Sequence, residues 1–205
     1  MHPAKAWYYF NGFNAAIPDD YSGNAKIEAV AACAHRQGYH FRPVSICYRL
    51  AEEQMDRILG EMRSFCGTAV FSGSSMGGWL ARITQLHLGR LRPGFPAVAV
   101  AFNPAYDLAL HGHLLEGPQV NFVTGERYEW TPEHSAGLAR LERAVDYDSP
   151  LPFFVYVDQG DEVIDWRGSA GRHRAIAEFI AYEGGCHSFD HYNEAMADFA
   201  AHLGK

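Results

Sequence analysis

The feature of this 205-residue sequence that most constrains its fold is a regular alternation of short apolar runs with helix-like segments. Near-continuous apolar runs bounded by turn residues are typical of strands that are buried on both faces of a parallel sheet. Because these runs alternate with helical patterns along the chain, the order is that of an α/β fold. We therefore predict about six mostly parallel strands with helices on both faces.

The apolar runs and the helical patterns also give approximate bounds for the elements. The predicted strands cover residues 6–10, 43–48, 68–73, 95–102, 151–157 and 175–182. The predicted helices cover 22–38, 51–65, 77–89 and 191–205, with Ser22 able to cap the first and Gly38 able to end it. Residues 107–150 show no alternating strand and one capped helix, over 131–144. We expect one domain, 1–205, in which 107–150 is a lid-like insertion.

Composition excludes several classes of protein. Apolar residues make up 48% of the chain and the formal net charge is −7, which argues against a nucleic-acid partner because phosphate contacts need a basic surface. The four cysteines form no C-x-x-C pair, so a metal or redox site has little support. No stretch approaches 18 apolar residues, and "MHPAKAWYYFNGF" lacks the long apolar region of a signal peptide. We therefore expect no membrane span and a cytoplasmic location.

The first candidate for chemistry is the serine in "AVFSGSSMGGWLARITQLH", residues 69–87. Ser75 lies between Gly73 and Gly77 in a G-x-S-x-G motif, after a predicted strand and before a predicted helix. This is the context of a nucleophile elbow, whose sharp turn leaves no room for side chains at the glycines. The alternative is an ordinary glycine-rich turn. We favour Ser75 as a nucleophile.

A serine nucleophile needs a base, usually a histidine, and the base needs an acid that orients it. Among the eleven histidines, His187 in "YEGGCHSF" follows the last predicted strand, where the sites of open α/β folds gather. The acid would come from "VDQGDEVIDW", which offers Asp158, Asp161, Glu162 and Asp165. Asp161 follows Gly160 in the loop and is the best placed of these. The resulting order, Ser75, Asp161, His187, is the order found in α/β-hydrolases.

An oxyanion hole and a substrate pocket complete the expected site. The oxyanion hole would use the backbone N–H groups of Met76, after the nucleophile, and of Phe13, in the loop after the first strand. Candidate substrate-binding residues are Asn11, Trp79, Phe122 and Trp130. We expect at least one lid aromatic, from a set that also includes Tyr128, to face Ser75 and bind an apolar group.

These motifs together resemble a family of small bacterial serine esterases, the YqiA type of α/β-hydrolase. The matching segments run in order over nearly the whole chain: "YYFNGFN", "SGSSMGGWLA", "AFNPAYDL", "TGERYEWTPEH", "VDQGDEVID" and "GGCHSF". In the family the first loop usually begins His-Gly-Phe-Asn, and Asn11 stands in the position of that histidine. The resemblance implies a six-stranded core, a minimal lid, a Ser–Asp–His triad with Asp161 as the acid, and hydrolysis of esters or thioesters without a cofactor or metal.

The function predicted from the sequence is therefore hydrolysis of a small-molecule acyl ester through Ser75, His187 and Asp161. An acyl-CoA or acyl-carrier thioesterase would use the same groups, and its mark would be a basic entrance; the lid offers only scattered Arg127, Arg140 and Arg143. A ligand-binding protein on a hydrolase fold is the remaining alternative, and the loss of a triad residue would favour it.

Overall fold

A computed structural model describes residues 5–203. The main sheet has six strands, all paired in parallel, in the order β2-β1-β3-β4-β7-β8. Its strands are β1 (Lys5–Phe10), β2 (His40–Val44), β3 (Thr68–Ser74), β4 (Ala97–Phe102), β7 (Phe153–Asp158) and β8 (Glu178–Tyr182). The predicted parallel α/β architecture is confirmed.

Within residues 5–203 seven α-helices lie between and after the strands: α1 (Ala25–Arg36), α2 (Ala51–Met62), α3 (Met76–Leu91), α4 (Leu108–His111), α5 (Pro132–Arg143), α6 (Trp166–His173) and α7 (Tyr192–Leu203). The period of two along the strands sends alternate side chains to opposite faces. In β1, Tyr8 and Phe10 join the apolar layer under α2 and α3, whereas Trp7 and Tyr9 join the layer under α1 and α7. Both faces of the sheet are therefore covered, which explains why its strands read as continuous apolar runs.

The second strand lies earlier in the chain than predicted. β2 ends at Val44 because residues 40–44 pair with β1, while the next backbone N–H groups are used by side chains. Ile46 N–H donates to the side chain of Asn11, and Cys47 N–H donates to the side chain of Gln54. Pro43, which has no N–H, is tolerated because β2 is an edge strand.

The first helix begins later than predicted, and its cap is a different residue. Asn24, not Ser22, is the N-cap, and its side chain accepts a hydrogen bond from Ile27 N–H. Gly38, with φ of +75°, follows the helix end as expected. At the other end of the chain α7 ends at Leu203, and the predicted continuation over residues 204–205 lies outside the described residues.

The insertion between β4 and β7 contains a hairpin that the sequence did not indicate. Strands β5 (Gly117–Val120) and β6 (Arg127–Trp130) pair antiparallel as a separate two-stranded sheet, before the predicted helix α5. Each strand has four residues, which is too short for a period of two to stand out in the sequence.

Candidate active site

The turn from β3 to α3 holds Ser75 in a strained backbone conformation. Its φ of 55° and ψ of −124° are rarely adopted by a residue with a side chain, and such conformations cost on the order of 1–3 kcal/mol. Backbone hydrogen bonds hold it in place: Ser75 N–H donates to Phe102 O at 3.0 Å, and Ser75 O accepts from Gly78 N–H and Ala105 N–H, each at 3.0 Å. The strand end, the helix start and the neighbouring strand therefore fix the position of this serine.

The glycines of the motif allow the chain to turn this sharply. A Cβ at Gly73 would lie 2.7 Å from Phe10 O, and one at Gly77 would lie 2.6 Å from Asn11 O and closer still to Phe10 O. These neighbours are backbone atoms of β1 and its following loop, so they cannot rotate away. Neither position has room for any other residue.

We expect Gly77→Ala to destabilise the protein by several kcal/mol, because the added methyl group overlaps two carbonyl oxygens that cannot move aside. Gly60→Ala is the matched control, since Gly60 lies on the exposed face of α2 and a Cβ there meets nothing within 4 Å. That control should be neutral or stabilising by up to about 1 kcal/mol, because alanine favours a helix interior. Urea titration of both variants measures the difference, and equal stabilities would contradict the packing argument.

His187 and Asp161 come from two different loops and form a hydrogen-bonded pair. His187 Nδ1 donates to Asp161 Oδ2 at 2.9 Å, and the carboxylate side chain is only 1% exposed. Burial acts to raise the pKa of Asp161, but hydrogen bonds from His187 and from the N–H groups of Ile164 and Val163 outweigh it and hold that pKa below its usual value. Asp161 is therefore ionised at neutral pH and accepts the hydrogen bond from His187 Nδ1.

The loop that carries His187 is held by a second carboxylate–histidine pair. Asp158, at the end of β7 and fully buried, accepts from His191 Nδ1 at 2.6 Å and from Asp190 N–H at 2.7 Å. Gly185 leaves the room for this, because a Cβ there would overlap the Asp158 carboxylate. Asp158, one of the four candidate acids, thus contacts His191 and not His187, and sequence reasoning assigned His191 no role.

Asn103 also holds the His187 loop, and sequence reasoning missed it. Its side-chain amide donates to Cys186 O at 2.9 Å and to His187 O at 3.3 Å, while its side-chain oxygen accepts from Asp158 N–H at 2.8 Å. The available signal was a polar residue directly after the buried strand β4, in "AFNPAYDL". Its φ of 42° is one that asparagine tolerates better than most residues.

The loop after β1 lies against the serine. A Cβ on Gly12 would be 3.4 Å from the Ser75 Cβ and 4.0 Å from its Oγ. Asn11, predicted to bind substrate, instead uses its side chain to hold this loop: Oδ1 accepts from Ile46 N–H at 2.5 Å, and Nδ2 donates to Gly12 O at 2.8 Å. The Asn11 amide is therefore hydrogen-bonded to backbone groups, although the residue also lines the cavity beside Ser75.

A cavity of about 870 Å³ opens at this edge of the sheet, and Ser75 and His187 both line it. Gly12, Phe13 and Met76 are also in its wall. Most of the remaining lining is apolar and comes from three segments, namely the loop before α1, the insertion and the loop after β7: Ala15, Ala16, Ile17, Leu108, Leu114, Leu115, Phe122, Val123, Val163 and Ile164. The cavity suits a ligand of small-molecule size with a substantial apolar part.

The predicted substrate-binding aromatics divide between the cavity and the core. Phe122 lies in the cavity wall and is 80% exposed, so one aromatic residue of the insertion shares the cavity with Ser75. Trp79 and Trp130 are buried, at 0% and 1% exposed, and the structure does not place them in the cavity. Trp79 lies on the side of α3 that packs into the core. Trp130 packs edge-on against Phe13, with 5.1 Å between the ring centroids. Trp130 therefore supports Phe13 in the cavity wall, and Trp79 is part of the core.

Two further features bear on what the site can bind. Within residues 5–203, no group of three His, Cys, Asp or Glu side chains is arranged to hold a metal ion. Over the same residues, no helix has both the length and the apolar character needed to cross a membrane. Among the polar side chains of the cavity wall are Ser75 and His187, and His187 is paired with Asp161.

The fold is that of the α/β-hydrolases. Est1E from Butyrivibrio proteoclasticus superposes with a TM-score of 0.68 at 14% identity, over 98% of this chain and 89% of its own. The esterase domain of a Rhodothermus marinus protein superposes with a TM-score of 0.64 at 15% identity, over 100% of this chain and 86% of its own. The fluorophosphonate-binding serine hydrolase F of Staphylococcus aureus superposes with a TM-score of 0.63 at 13% identity, over 100% of this chain and 85% of its own.

The chain belongs to the uncharacterised protein family UPF0227, the YqiA-like family, whose model matches residues 7–203. This confirms the resemblance inferred from the motifs. No curated protein matches the chain in sequence. The structural neighbours are esterases and serine hydrolases, and at these identities the likeness establishes the shared fold.

Proposed function

We propose that this protein is a serine hydrolase that cleaves carboxylic esters, with Ser75 as nucleophile, His187 as base and Asp161 as the acid that orients the base. The observation that carries the proposal is the 2.9 Å hydrogen bond between His187 and Asp161 beside a cavity that also contains the strained Ser75. Strain of this kind is retained where a fold holds a reactive group in position. The esterase names of the structural neighbours agree with the proposal.

In the proposed reaction Ser75 Oγ attacks the ester carbonyl carbon and its proton passes to His187 Nε2. The C–O bond to the alcohol then breaks, and the alcohol leaves with that proton. Water repeats the sequence on the acyl-enzyme, releasing the carboxylic acid and restoring Ser75. Among the described residues Ser75 Oγ makes no hydrogen bond to His187, and such bonds often form only when substrate is bound.

The backbone N–H groups of Met76 and Phe13 form the proposed oxyanion hole. Met76 is the first residue of α3, so its N–H has no partner within the helix. Phe13 N–H donates to no group among the described residues, and both residues line the cavity beside Ser75. Each donor contributes on the order of 10²–10³ to the rate in comparable enzymes.

Residues 107–150 act in this proposal as a small lid on one domain, and they form the apolar part of the substrate pocket. Leu108, Leu114, Leu115, Phe122 and Val123 bring apolar side chains from the insertion to the cavity. A hydrogen bond from Phe122 N–H to Asn14 O, at 2.8 Å, ties the hairpin turn to the loop after β1. The lid therefore meets the predicted oxyanion loop directly.

We expect Phe122→Ala to lower kcat/KM by about tenfold for hexanoyl esters and by much less for acetyl esters. The reason is that only a longer acyl chain reaches the ring, whose contact is worth about 1–2 kcal/mol. Leu91→Ala is the control, because Leu91 is a half-exposed apolar residue outside the cavity. The kcat/KM profile across acyl lengths measures the effect, and a uniform loss or none would show that the lid is only structural.

A thioesterase that binds coenzyme A would need a basic entrance, and the arginines of the insertion do not supply one. Arg140 is paired with Glu52 at 2.7 Å and with Glu133 at 3.0 Å, and Arg143 donates to Ala109 O. None of these arginines lines the cavity. We therefore consider ester hydrolysis better supported than thioester hydrolysis.

Covalent labelling tests the proposal directly. A fluorophosphonate probe should modify the wild-type protein once, at Ser75, and preincubation with a 4-nitrophenyl ester should slow the reaction. Mass spectrometry of the labelled peptide identifies the residue. A folded protein that is neither labelled nor active on 4-nitrophenyl esters of any acyl length would favour the ligand-binding alternative.

A further inference from the structure

The wall of the cavity contains a lysine that the hydrolytic mechanism does not use. Lys26, in the first turn of α1, lines the same cavity as Ser75 and His187. Within residues 5–203 no carboxylate forms an ion pair with it and no acceptor takes a hydrogen bond from it. The chain has 24 acidic residues and a net charge of −7, so an unpaired cation in this position needs an explanation.

The position of Lys26 carries a cost for the free protein. Burial lowers the pKa of its ammonium group, which means that the charge is partly removed from water without a compensating partner. A positive side chain in the first turn of a helix also gains nothing from the helix dipole, which favours acidic residues there. An anion bound in the cavity would pair with the buried ammonium group and would also interact favourably with the dipole of α1.

The groups beside Lys26 are also suited to an anion. Asn24 and Ser188 line the cavity together with it. The side-chain oxygen of Asn24 accepts from Ile27 N–H, which leaves its NH₂ group as a donor that has no acceptor within residues 5–203. Ser188 adds a hydroxyl next in sequence to the proposed base. This end of the cavity therefore presents hydrogen-bond donors around a positive charge, unlike the apolar end formed by the lid.

The acidic residue in the cavity wall does not neutralise Lys26. Asp165 lines the cavity, but it is the N-cap of α6, and its Oδ1 accepts from Arg167 N–H at 3.1 Å. The same oxygen lies 3.7 Å from the Arg167 guanidinium. Its charge is therefore already opposed by the helix start and by an arginine.

We propose that the ester substrate carries an anionic group, a carboxylate or a phosphate, and that Lys26 determines this specificity by binding it. This inference rests on the proposed function. The substrate would place its apolar part against the lid and its anionic part against α1, both within the cavity that Ser75 lines. A single charge-assisted hydrogen bond to a lysine is enough to change affinity by about tenfold or more.

The test compares two substrates of the same acyl chain length that differ at the end of the chain. 4-Nitrophenyl hydrogen adipate ends its acyl chain in a carboxylate, and 4-nitrophenyl hexanoate ends it in a methyl group. Wild-type protein should prefer the adipate ester in kcat/KM, and Lys26→Met should reduce the adipate-to-hexanoate ratio by about tenfold or more. Lys26→Arg should retain most of the preference, since it keeps the charge.

The control variant changes the net charge without touching the cavity. Arg57→Met removes one positive charge from the exposed face of α2, outside the cavity wall, and should leave the ratio unchanged. To separate carboxylate from phosphate, the same proteins are assayed with hexanoyl-coenzyme A and with S-hexanoyl-N-acetylcysteamine, which lacks the phosphates. A Lys26-dependent preference for the coenzyme A ester alone would assign the anion as phosphate.

The outcomes separate this inference from the proposed function. If the hexanoate ester is hydrolysed and the adipate-to-hexanoate ratio of kcat/KM is the same in wild type and Lys26→Met, the inference is overturned and the esterase proposal stands. If neither ester is hydrolysed, the proposed function fails, and the inference is then decided by calorimetric titration of Ser75→Ala with the adipate ester. Lys26→Met in that background should weaken binding by about tenfold, and equal binding would overturn the inference.

Discussion

Ser75→Ala is expected to reduce ester hydrolysis by on the order of 10⁶ in kcat and to abolish fluorophosphonate labelling. Without Oγ no acyl-enzyme forms, and the histidine and the oxyanion hole have no nucleophile to assist. The side chain loses one oxygen and keeps its Cβ, so the strained turn and its backbone hydrogen bonds to Phe102 and Ala105 should be retained. Rates are measured with 4-nitrophenyl esters, and the melting temperature shows that the fold is intact.

The neighbouring serine provides the control for this substitution. Ser74 is the last residue of β3, is 5% exposed, and does not occupy the serine position of the G-x-S-x-G motif. Ser74→Ala should remain folded and labelled. Labelling that survives in Ser75→Ala would show that another residue is the nucleophile.

Asp161→Asn should lower kcat by up to about 10⁴, by analogy with the serine-protease substitution in which the same change leaves the histidine in the wrong tautomer. The carboxylate accepts the proton on His187 Nδ1, which leaves Nε2 free to accept the serine proton. An amide in its place can donate to Nδ1 and so favours a proton on Nε2. The loss should appear in kcat and kcat/KM equally, with little change in melting temperature.

Two other acids of the same loop test the assignment of Asp161. Asp165→Asn should cost little, because Asp165 caps α6 and asparagine caps a helix as well. Asp158→Asn should lower kcat far less than Asp161→Asn. Its main effect should be on stability, because an amide accepts the hydrogen bonds from His191 and from Asp190 N–H less strongly than a carboxylate does. Near-normal turnover in Asp161→Asn, with either neighbour inactive, would identify a different acid.

Local sequence patterns were sufficient for the architecture. Strands that are buried on both faces must be apolar throughout, so the βα alternation, the parallel sheet and the two helical layers were predictable from residues such as Trp7 and Tyr8. The strand–glycine–serine–glycine–helix pattern placed Ser75 at the turn, because only glycine fits at Gly73 and Gly77. Parallel strands end at one edge, which explains why the loops after β1, β3, β7 and β8 supply the candidate site.

The groups that hold the site together could not be predicted, because their partners are distant in sequence and leave no periodic signal. The Asp158–His191 pair spans 33 residues, the contacts of Asn103 with the His187 loop span 83 and 84, and Asn11 holds a segment 35 residues away. The β5–β6 hairpin was missed for a related reason, since four-residue strands carry too few positions to show alternation.

By itself the sequence determined the α/β fold, the sharp turn at Ser75 and the family to which the chain belongs. Residue types and local hydrophobic periodicity are enough to predict these features, because strand burial and turn geometry are reflected in residues that are close together in the sequence. Only the tertiary structure decided which aromatic residues reach the cavity and which lie behind it, as it separates Phe122 from Trp130. Likewise, only the packing of α1 against the sheet brought Lys26 to the cavity, since the contacts of a side chain with other elements depend on the fold as a whole.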